Sequence, residues 1–270
     1  MIKHIALTAC SNPLSEQGQK EMNELIELLK EHHIQVEMEA DLTQPFSAKK
    51  RADILMKYYR NPDVEMIFDI SGGDLANGVL TYLDYETIKE NPKPFVGYSD
   101  LSVILNGIYA KTGNQGMLYQ IRNLIGSDEE RQQKEFFDYL EGKSNELCEP
   151  EIFMLQGELP EETSIVGGNI RCFLKLAGTS FWPDLNGKIL FLESRSGKRE
   201  LITAFFYQLK QMGVFEHIKG LVLGTFTQLD REEGMYAAEQ IVLEVLGEEI
   251  PLGRTLEVGH GVDSKGVMIG

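Results

Sequence analysis

The stretch Pro94-Phe95-Val96-Gly97-Tyr98-Ser99-Asp100-Leu101 decides how the chain is read. An apolar run ends in a glycine, then a serine, then an acidic residue that opens a helical pattern. The pattern predicts a buried strand, a tight elbow and a helix. A serine at such an elbow lifts its hydroxyl out of the sheet and sets it at the positive end of a helix. The spacing is not G-x-S-x-G, because Leu101 stands where the second glycine would be. A Ser-Asp pair after a strand is also an ordinary helix N-cap, so the elbow needs support from elsewhere.

Outward from the elbow, strands and helices alternate with short connections. Strands are predicted at Ile2 to Ala9, Ile34 to Met38, Val64 to Ile70 and Phe95-Val96. Helices are predicted from Ser15 to about Lys30, from Ser47 to about Arg60, through Leu80 to Ile88, and from about Ser99 to Thr112. This alternation argues for an α/β fold with a parallel sheet covered on both faces. Ligands bind such sheets at the carboxyl ends of the strands. Three polar turns gather there: Ser11-Asn12, Gly72-Gly73-Asp74 and Ser99-Asp100. The pattern weakens between residues 126 and 164, where Glu146 to Glu162 is acidic and holds two prolines. That segment reads as a connection between residues 1–125 and a second α/β half at 165–270. The second half restarts at Ile165-Val166-Gly167-Gly168-Asn169. It holds a strong strand, Lys188 to Leu192, that runs into Glu193-Ser194. A helix over Glu200 to Met212, a strand at Leu221 to Leu223 and a helix over Glu232 to Leu246 follow.

At 270 residues, with 42% hydrophobic and 25% charged residues, the chain is a globular protein large enough for one big domain or two small ones. No apolar run reaches the roughly 18 residues that span a membrane, and the N-terminus goes straight into a strand without signal-peptide features. The net charge of −16 repels phosphate backbones and argues against nucleic-acid binding. Cys10, Cys148 and Cys172 are odd in number and far apart. They suggest no metal site or disulfide framework, and a reducing cytoplasm is expected.

A nucleophilic serine needs a base, and the base needs an orienting partner. Of five histidines, His260 stands between two glycines, straight after an expected strand, where its ring can be approached. Glu193 ends a nearly continuous apolar strand, a costly place for a charge unless it is used or paired. A capping or salt-bridging role would also account for it. Gly72-Gly73 can bring backbone N–H groups to a developing oxyanion, together with the N–H of Asp100. The G-G-D turn could otherwise cradle phosphate, but no P-loop lysine or G-x-G-x-x-G accompanies it. Trp182, in Phe181-Trp182-Pro183-Asp184, reads as part of a structural turn.

The ordered set Ser71-Gly72-Gly73-Asp74, Tyr82-Leu83-Asp84-Tyr85, Lys93 to Asp100, Gly167-Gly168-Asn169, Leu176 to Thr179, Gly187 to Glu193 and Gly259-His260 resembles the LD-carboxypeptidase family of serine peptidases. That family includes the microcin C immunity peptidases, and the G-G-D and Y-L-D-Y blocks lean towards that branch. The resemblance implies a flavodoxin-like or class I amidotransferase-like N-terminal domain and a smaller C-terminal α/β domain. It implies a Ser99-Glu193-His260 triad, oxyanion donors at Gly73 and Asp100, and substrate contacts at Gly72, Asp74 and Asn169. It implies metal-free, cofactor-independent hydrolysis and a homodimer.

The implied activity is removal of terminal D-alanine from a murein tetrapeptide in peptidoglycan recycling. The alternatives are cleavage of a peptidyl- or aminoacyl-nucleotide conjugate, as in microcin immunity, and a non-catalytic ligand-binding relative. Two departures from the family stand out, the first being Ser102 where many relatives carry threonine, a mild change. Gly113 to Tyr119 replaces a Gly-Pro block that many relatives carry, which directs attention to the substrate pocket. The chain also stops soon after His260, where relatives continue, so a truncated or disordered C-terminus is expected.

Overall fold

The computed structural model describes residues 1–38, 41–247 and 249–270. Its first half builds strands β1 (His4–Thr8), β2 (Gln35–Glu37), β3 (Met66–Asp69), β4 (Phe95–Gly97) and β5 (Gly116–Leu118). Helices α1 (Glu16–Glu31), α2 (Ala48–Arg60), α3 (Tyr85–Glu90) and α4 (Ser102–Thr112) connect them. The two long helices start where side-chain oxygens cap them. Ser15 accepts from the Gly18 N–H at 3.1 Å and Ser47 from the Lys50 N–H at 3.2 Å. A 3-10 stretch over Ala76–Tyr82 precedes α3, and a 3-10 turn over Ser99–Leu101 leads into α4.

Helix α5 (Glu129–Leu140) and strand β6 (Phe153–Gln156) follow. The second half contains β7 (Ile165–Asn169), α6 (Ile170–Phe173), β8 (Ile189–Ser194), α7 (Arg199–Gln211), β9 (Gly220–Phe226), α8 (Thr227–Glu233), α9 (Ala237–Leu246), β10 (Leu252–Arg254) and β11 (Val267–Ile269).

Two sheets result. The first has the order β11-β5-β4-β3-β1-β2 and is parallel except for β11, which pairs antiparallel with β5. The second has the order β6-β10-β9-β8-β7 and is parallel except for β6 at its edge. Parallel strands covered on both faces are apolar throughout, and β8 is buried at all six positions. Met22, Leu25 and Leu29 of α1 pack one face of the first sheet with Phe136 and Leu140 of α5. The opposite face shares one apolar core with the second half, from Leu101 and Ile104 to Val166, Ile170 and Leu190.

Polar contacts reinforce this seam. The Asn106 amide donates to the Gly167 carbonyl at 2.7 Å, and its oxygen accepts the Gly167 N–H at 2.9 Å. The Ser102 hydroxyl accepts the Asn169 N–H at 2.9 Å. The helix after the elbow therefore sets the position of β7.

Several expectations need correction. The segment 126–164 is more than a connection, since α5 completes the first core and β6 edges the second sheet. The helix expected over Glu232 to Leu246 is two, α8 and α9, interrupted at Gly234 with φ 97°. The strand near His260 is β10, which ends at Arg254, so His260 sits on a loop and not directly after a strand. Gly113 to Tyr119 contains β5, with Met117, Leu118 and Tyr119 buried in the core, and none of its residues lines the cleft that Ser99 and His260 face. The last residues are ordered, with β11 returning to the first sheet.

Candidate active site

Ser99 follows β4 with φ 54°, a left-handed conformation that non-glycine residues rarely adopt. Such a value turns the chain sharply between strand and helix and presents the hydroxyl at the carboxyl end of the sheet. Neighbouring loops hold the elbow through Asp100, which is fully buried. Its carboxylate accepts from the Ser11 hydroxyl at 2.6 Å, the Ala76 N–H at 2.9 Å and the Lys175 ammonium at 2.5 Å. A buried charge is tolerable when it is paired and hydrogen-bonded in this way. The side chain of Asp100 thus clamps three loops, while its main-chain N–H stays free of hydrogen bonds among the described residues.

The glycine-pair loop is held from the side of β1. Asn12 donates its N–H to the Gly72 carbonyl at 3.2 Å, and its side-chain oxygen accepts the Asp74 N–H at 3.1 Å. Gly73 has φ 132°, and a Cβ there would lie 2.3 Å from the Asn12 side chain. Only glycine fits that close approach. Asp69 anchors the base of the loops, accepting from the Cys10 N–H at 2.6 Å and from the Ser71 N–H and hydroxyl at 2.9 and 2.6 Å. Its burial raises the carboxyl above its ordinary value, against the pull of those hydrogen bonds.

From the second half, Glu193 near the end of β8 meets His260. The Glu193 carboxylate accepts from His260 Nδ1 at 2.8 Å and, through its other oxygen, from the Asn169 amide at 3.0 Å. Glu193 is 2% exposed. A carboxylate only accepts, so Nδ1 carries the hydrogen and Nε2 presents its lone pair. Nε2 is buried and has no hydrogen-bond partner among the described residues. Gly259 lets the histidine loop approach β9, since a Cβ there would overlap the Thr225 hydroxyl at 1.8 Å.

Ser99 and His260 face a cleft with two lobes of about 420 and 320 Å³. His260 lines the larger lobe and Ser99 the smaller, and Tyr98, Arg122 and Arg195 line both. The Tyr98 and His260 rings are 5.6 Å apart between centroids. The Ser99 hydroxyl makes no hydrogen bond among the described residues, so the Glu193–His260 pair is formed and the Ser99–His260 link is open. Such links are often long before substrate binds.

The remaining candidates fall as follows. Gly72 and Gly73 line the Ser99 lobe. Asp74 is ion-paired to Arg171, whose hydrogen bond holds its carboxyl below the ordinary value. Asn169 was expected to contact substrate, but it is buried with its amide on Glu193 and its oxygen facing the Cys172 N–H at 3.4 Å. It therefore orients the acid. Trp182 packs on Phe173 with centroids 4.5 Å apart, as a structural turn would. Sequence reasoning missed Tyr98, Arg122, Arg195 and Lys175. Tyr98 immediately precedes Ser99 and Arg195 lies two residues past Glu193, so both stand beside singled-out residues, whereas Arg122 and Lys175 have no such neighbour. Among the described residues, no group of three or more His, Cys, Asp or Glu could hold a metal ion. No helix among the described residues is long and apolar enough to cross a membrane.

Comparison with known proteins agrees with this architecture. Residues 5–120 match the LD-carboxypeptidase N-terminal domain, and residues 162–270 match the LD-carboxypeptidase C-terminal domain. The microcin C7 self-immunity protein MccF of Escherichia coli is 28% identical, with 82% of this chain and 73% of the relative covered. The murein tetrapeptide carboxypeptidase of Pseudomonas aeruginosa is 25% identical, with 81% and 75% covered. The structure of wild-type apo MccF superposes with a TM-score of 0.85 at 22% identity, covering 99% of this chain and 91% of that one. Both halves of the chain, joined at the cleft, match the family in order, and the protein belongs to the LD-carboxypeptidase family of peptidases.

Proposed function

We propose that the protein is a serine peptidase that removes terminal D-alanine from murein tetrapeptides, cutting after an L-configured centre. The observation that carries this reading is the buried Glu193–His260 hydrogen bond, which leaves Nε2 open beside the cleft that Ser99 lines. His260 Nε2 takes the Ser99 proton as Oγ attacks the scissile carbonyl. The N–H groups of Gly73 and Asp100, unpaired among the described residues, receive the oxyanion. The C–N bond breaks, and His260 returns the proton to the departing amine. Water, deprotonated by the same histidine, then hydrolyses the acyl-enzyme. Glu193 holds the ring and balances its charge, and Asn169 holds Glu193. In this reading residues 1–125 carry the nucleophile and 165–270 carry the acid and base, with 126–164 linking them. The three cysteines, all unpaired, suit a reducing cytoplasm. A homodimer remains part of the proposal.

A second reading is cleavage of an aminoacyl-nucleotide conjugate. It is favoured by likeness to MccF, which has been solved with glutamyl sulfamoyl guanosine and with aspartyl sulfamoyl adenosine. The non-catalytic reading rests on Gly113 to Tyr119, whose buried side chains, Met117 to Tyr119, belong to the core.

The test is hydrolysis followed by mass spectrometry. The panel is the tetrapeptide L-Ala, D-Glu, a diamino acid, D-Ala, its pentapeptide, and an aminoacyl sulfamoyl adenylate. Loss of one D-alanine from the tetrapeptide alone supports the first reading. Cleavage of the nucleotide conjugate alone moves the protein to the second.

A further inference from the structure

The smaller lobe, which Ser99 lines, is unusual for this chain. The protein carries a net charge of −16, yet among the described residues the only charged ones walling that lobe are Arg122 and Arg195. The carboxylates of the cleft, Glu21 and Glu24, line the larger lobe.

The two arginines differ. Arg122 is occupied: Nη1 donates to Glu21 at 3.0 Å and Nη2 to the Tyr98 hydroxyl at 2.6 Å. Arg195 makes no ion pair and no side-chain hydrogen bond among the described residues, and it is exposed. Its main chain is nevertheless fixed. The Arg195 carbonyl accepts the Gln228 N–H at 3.2 Å, and the adjacent Ser194 hydroxyl donates to the Ser196 carbonyl at 2.8 Å. The residue follows β8 two positions after Glu193 and lines both lobes, the one with Ser99 and the one with His260.

We infer that Arg195 binds the anion of the leaving group. This rests on the peptidase reading above. In both candidate substrates the leaving side of the scissile amide carries negative charge close to the bond that breaks. In a terminal D-alanine the carboxylate is one carbon from the nitrogen, and in an aminoacyl sulfamate the charge lies at the nitrogen itself. A guanidinium fork matches two carboxylate or sulfonyl oxygens. An unpaired arginine on a fixed main chain can engage the anion without first giving up a protein partner. Glu21 and Glu24 disfavour the anion in the larger lobe, so the electrostatics of the cleft set the direction in which substrate lies.

The test is equilibrium binding to the Ser99→Ala protein, in which turnover does not intervene. The ligands are the tetrapeptide with a free terminal carboxylate, the same peptide as its D-alaninamide, and an aminoacyl sulfamoyl adenosine. Each is measured again after adding Arg195→Ala or Arg195→Lys. The expected result is that Arg195→Ala weakens an anionic ligand by about tenfold or more. The amide peptide should bind as before, and Arg195→Lys should recover part of the loss. In the Ser99-containing enzyme the Arg195→Ala loss should appear in KM. Whichever of the two anionic ligands depends on Arg195 names the leaving group. Equal losses on carboxylate and amide peptides would overturn the inference, as would failure of Ser99→Ala to bind either anionic ligand. Arg195-dependent binding without any cleavage by the wild type would sink the peptidase reading and leave the anion site standing.

Discussion

Ser99 holds φ 54° because strand, turn and helix must join within a few residues, and the Asp100 contacts lock that join. An L-residue in this conformation costs roughly 1–2 kcal/mol relative to glycine. Ser99→Gly should therefore be more stable than Ser99→Ala by about 1 kcal/mol, although glycine is normally the worse residue in regular structure. Urea unfolding of the two inactive variants measures this, and the reverse order would mean the elbow is unstrained. Asn169→Ala removes the amide that holds the second oxygen of Glu193. It should lower kcat by about tenfold with little change in KM, by analogy with lost orienting groups elsewhere. Ser99, Glu193 and His260 were legible in the sequence because each stands in an anomalous local setting: a polar residue ending an apolar strand, or a histidine between glycines. Arg122 was not, and Asn169 was legible only as a substrate contact and not as the partner of Glu193, because such pairings depend on which strands become neighbours. Asn169 reaches Glu193 only because β7 pairs with β8 in the register that sets those two residues side by side.

At the scale of elements, α4 does two jobs, since it begins at the Ser99 elbow and grips β7 through Asn106 and Ser102. Asn106 is fully buried and satisfies both main-chain groups of Gly167. Asn106→Ala leaves a buried N–H and C=O without partners. It should cost about 2–3 kcal/mol by denaturant unfolding, with a loss of activity because Asn169 follows Gly167 by two residues. A cost below about 0.5 kcal/mol would show that water replaces the amide. Burial also makes the thiols inert: that of Cys172 is pushed up to about 12, with Asp100 adding to the effect, and that of Cys10 is raised well above its ordinary value. Neither should react with a thiol reagent at neutral pH until the protein unfolds, which a time course of labelling with peptide mapping checks. The strand–helix alternation was readable from periodicity and caps. Strands β5, β10 and β11 were not, because three residues carry no period; β2 and β4 are as short, but each sits in a recognisable run, the alternating Ile34 to Met38 and the apolar stretch before the elbow.

For the whole molecule, the two sheets share one apolar core, and the chain returns to its first sheet at β11. A second buried charge cluster lies in the second half, away from the triad. Arg254 pairs with Asp230 at 2.9 Å and Glu239 at 3.3 Å, two acids against one base. Burial raises both carboxyls despite the arginine. The folded protein then keeps protons that the unfolded chain has already released. Stability from this cluster is therefore present at low pH and falls as pH rises from the ordinary carboxyl range through the raised values. Glu239→Gln keeps one acid for Arg254 and removes one of the two titrations. It should lessen the fall in Tm as pH rises above the ordinary carboxyl range, and an unchanged slope would place the titration elsewhere. The net charge of −16 announced an acidic surface, but the locally positive lobe around Ser99 emerged only from folding, which brings Arg122 and Arg195 together from distant parts of the chain.

The central claim is that Ser99 is the nucleophile driven by His260. The measurement that tests it most directly is kcat of purified wild type and Ser99→Ala on the tetrapeptide and on the aminoacyl sulfamoyl adenylate, with circular dichroism confirming equal folding. The account predicts that the wild type cuts one of them and that Ser99→Ala loses at least about 10³-fold. Turnover by Ser99→Ala within about tenfold of wild type, or hydrolysis of neither substrate by the wild type, would contradict it.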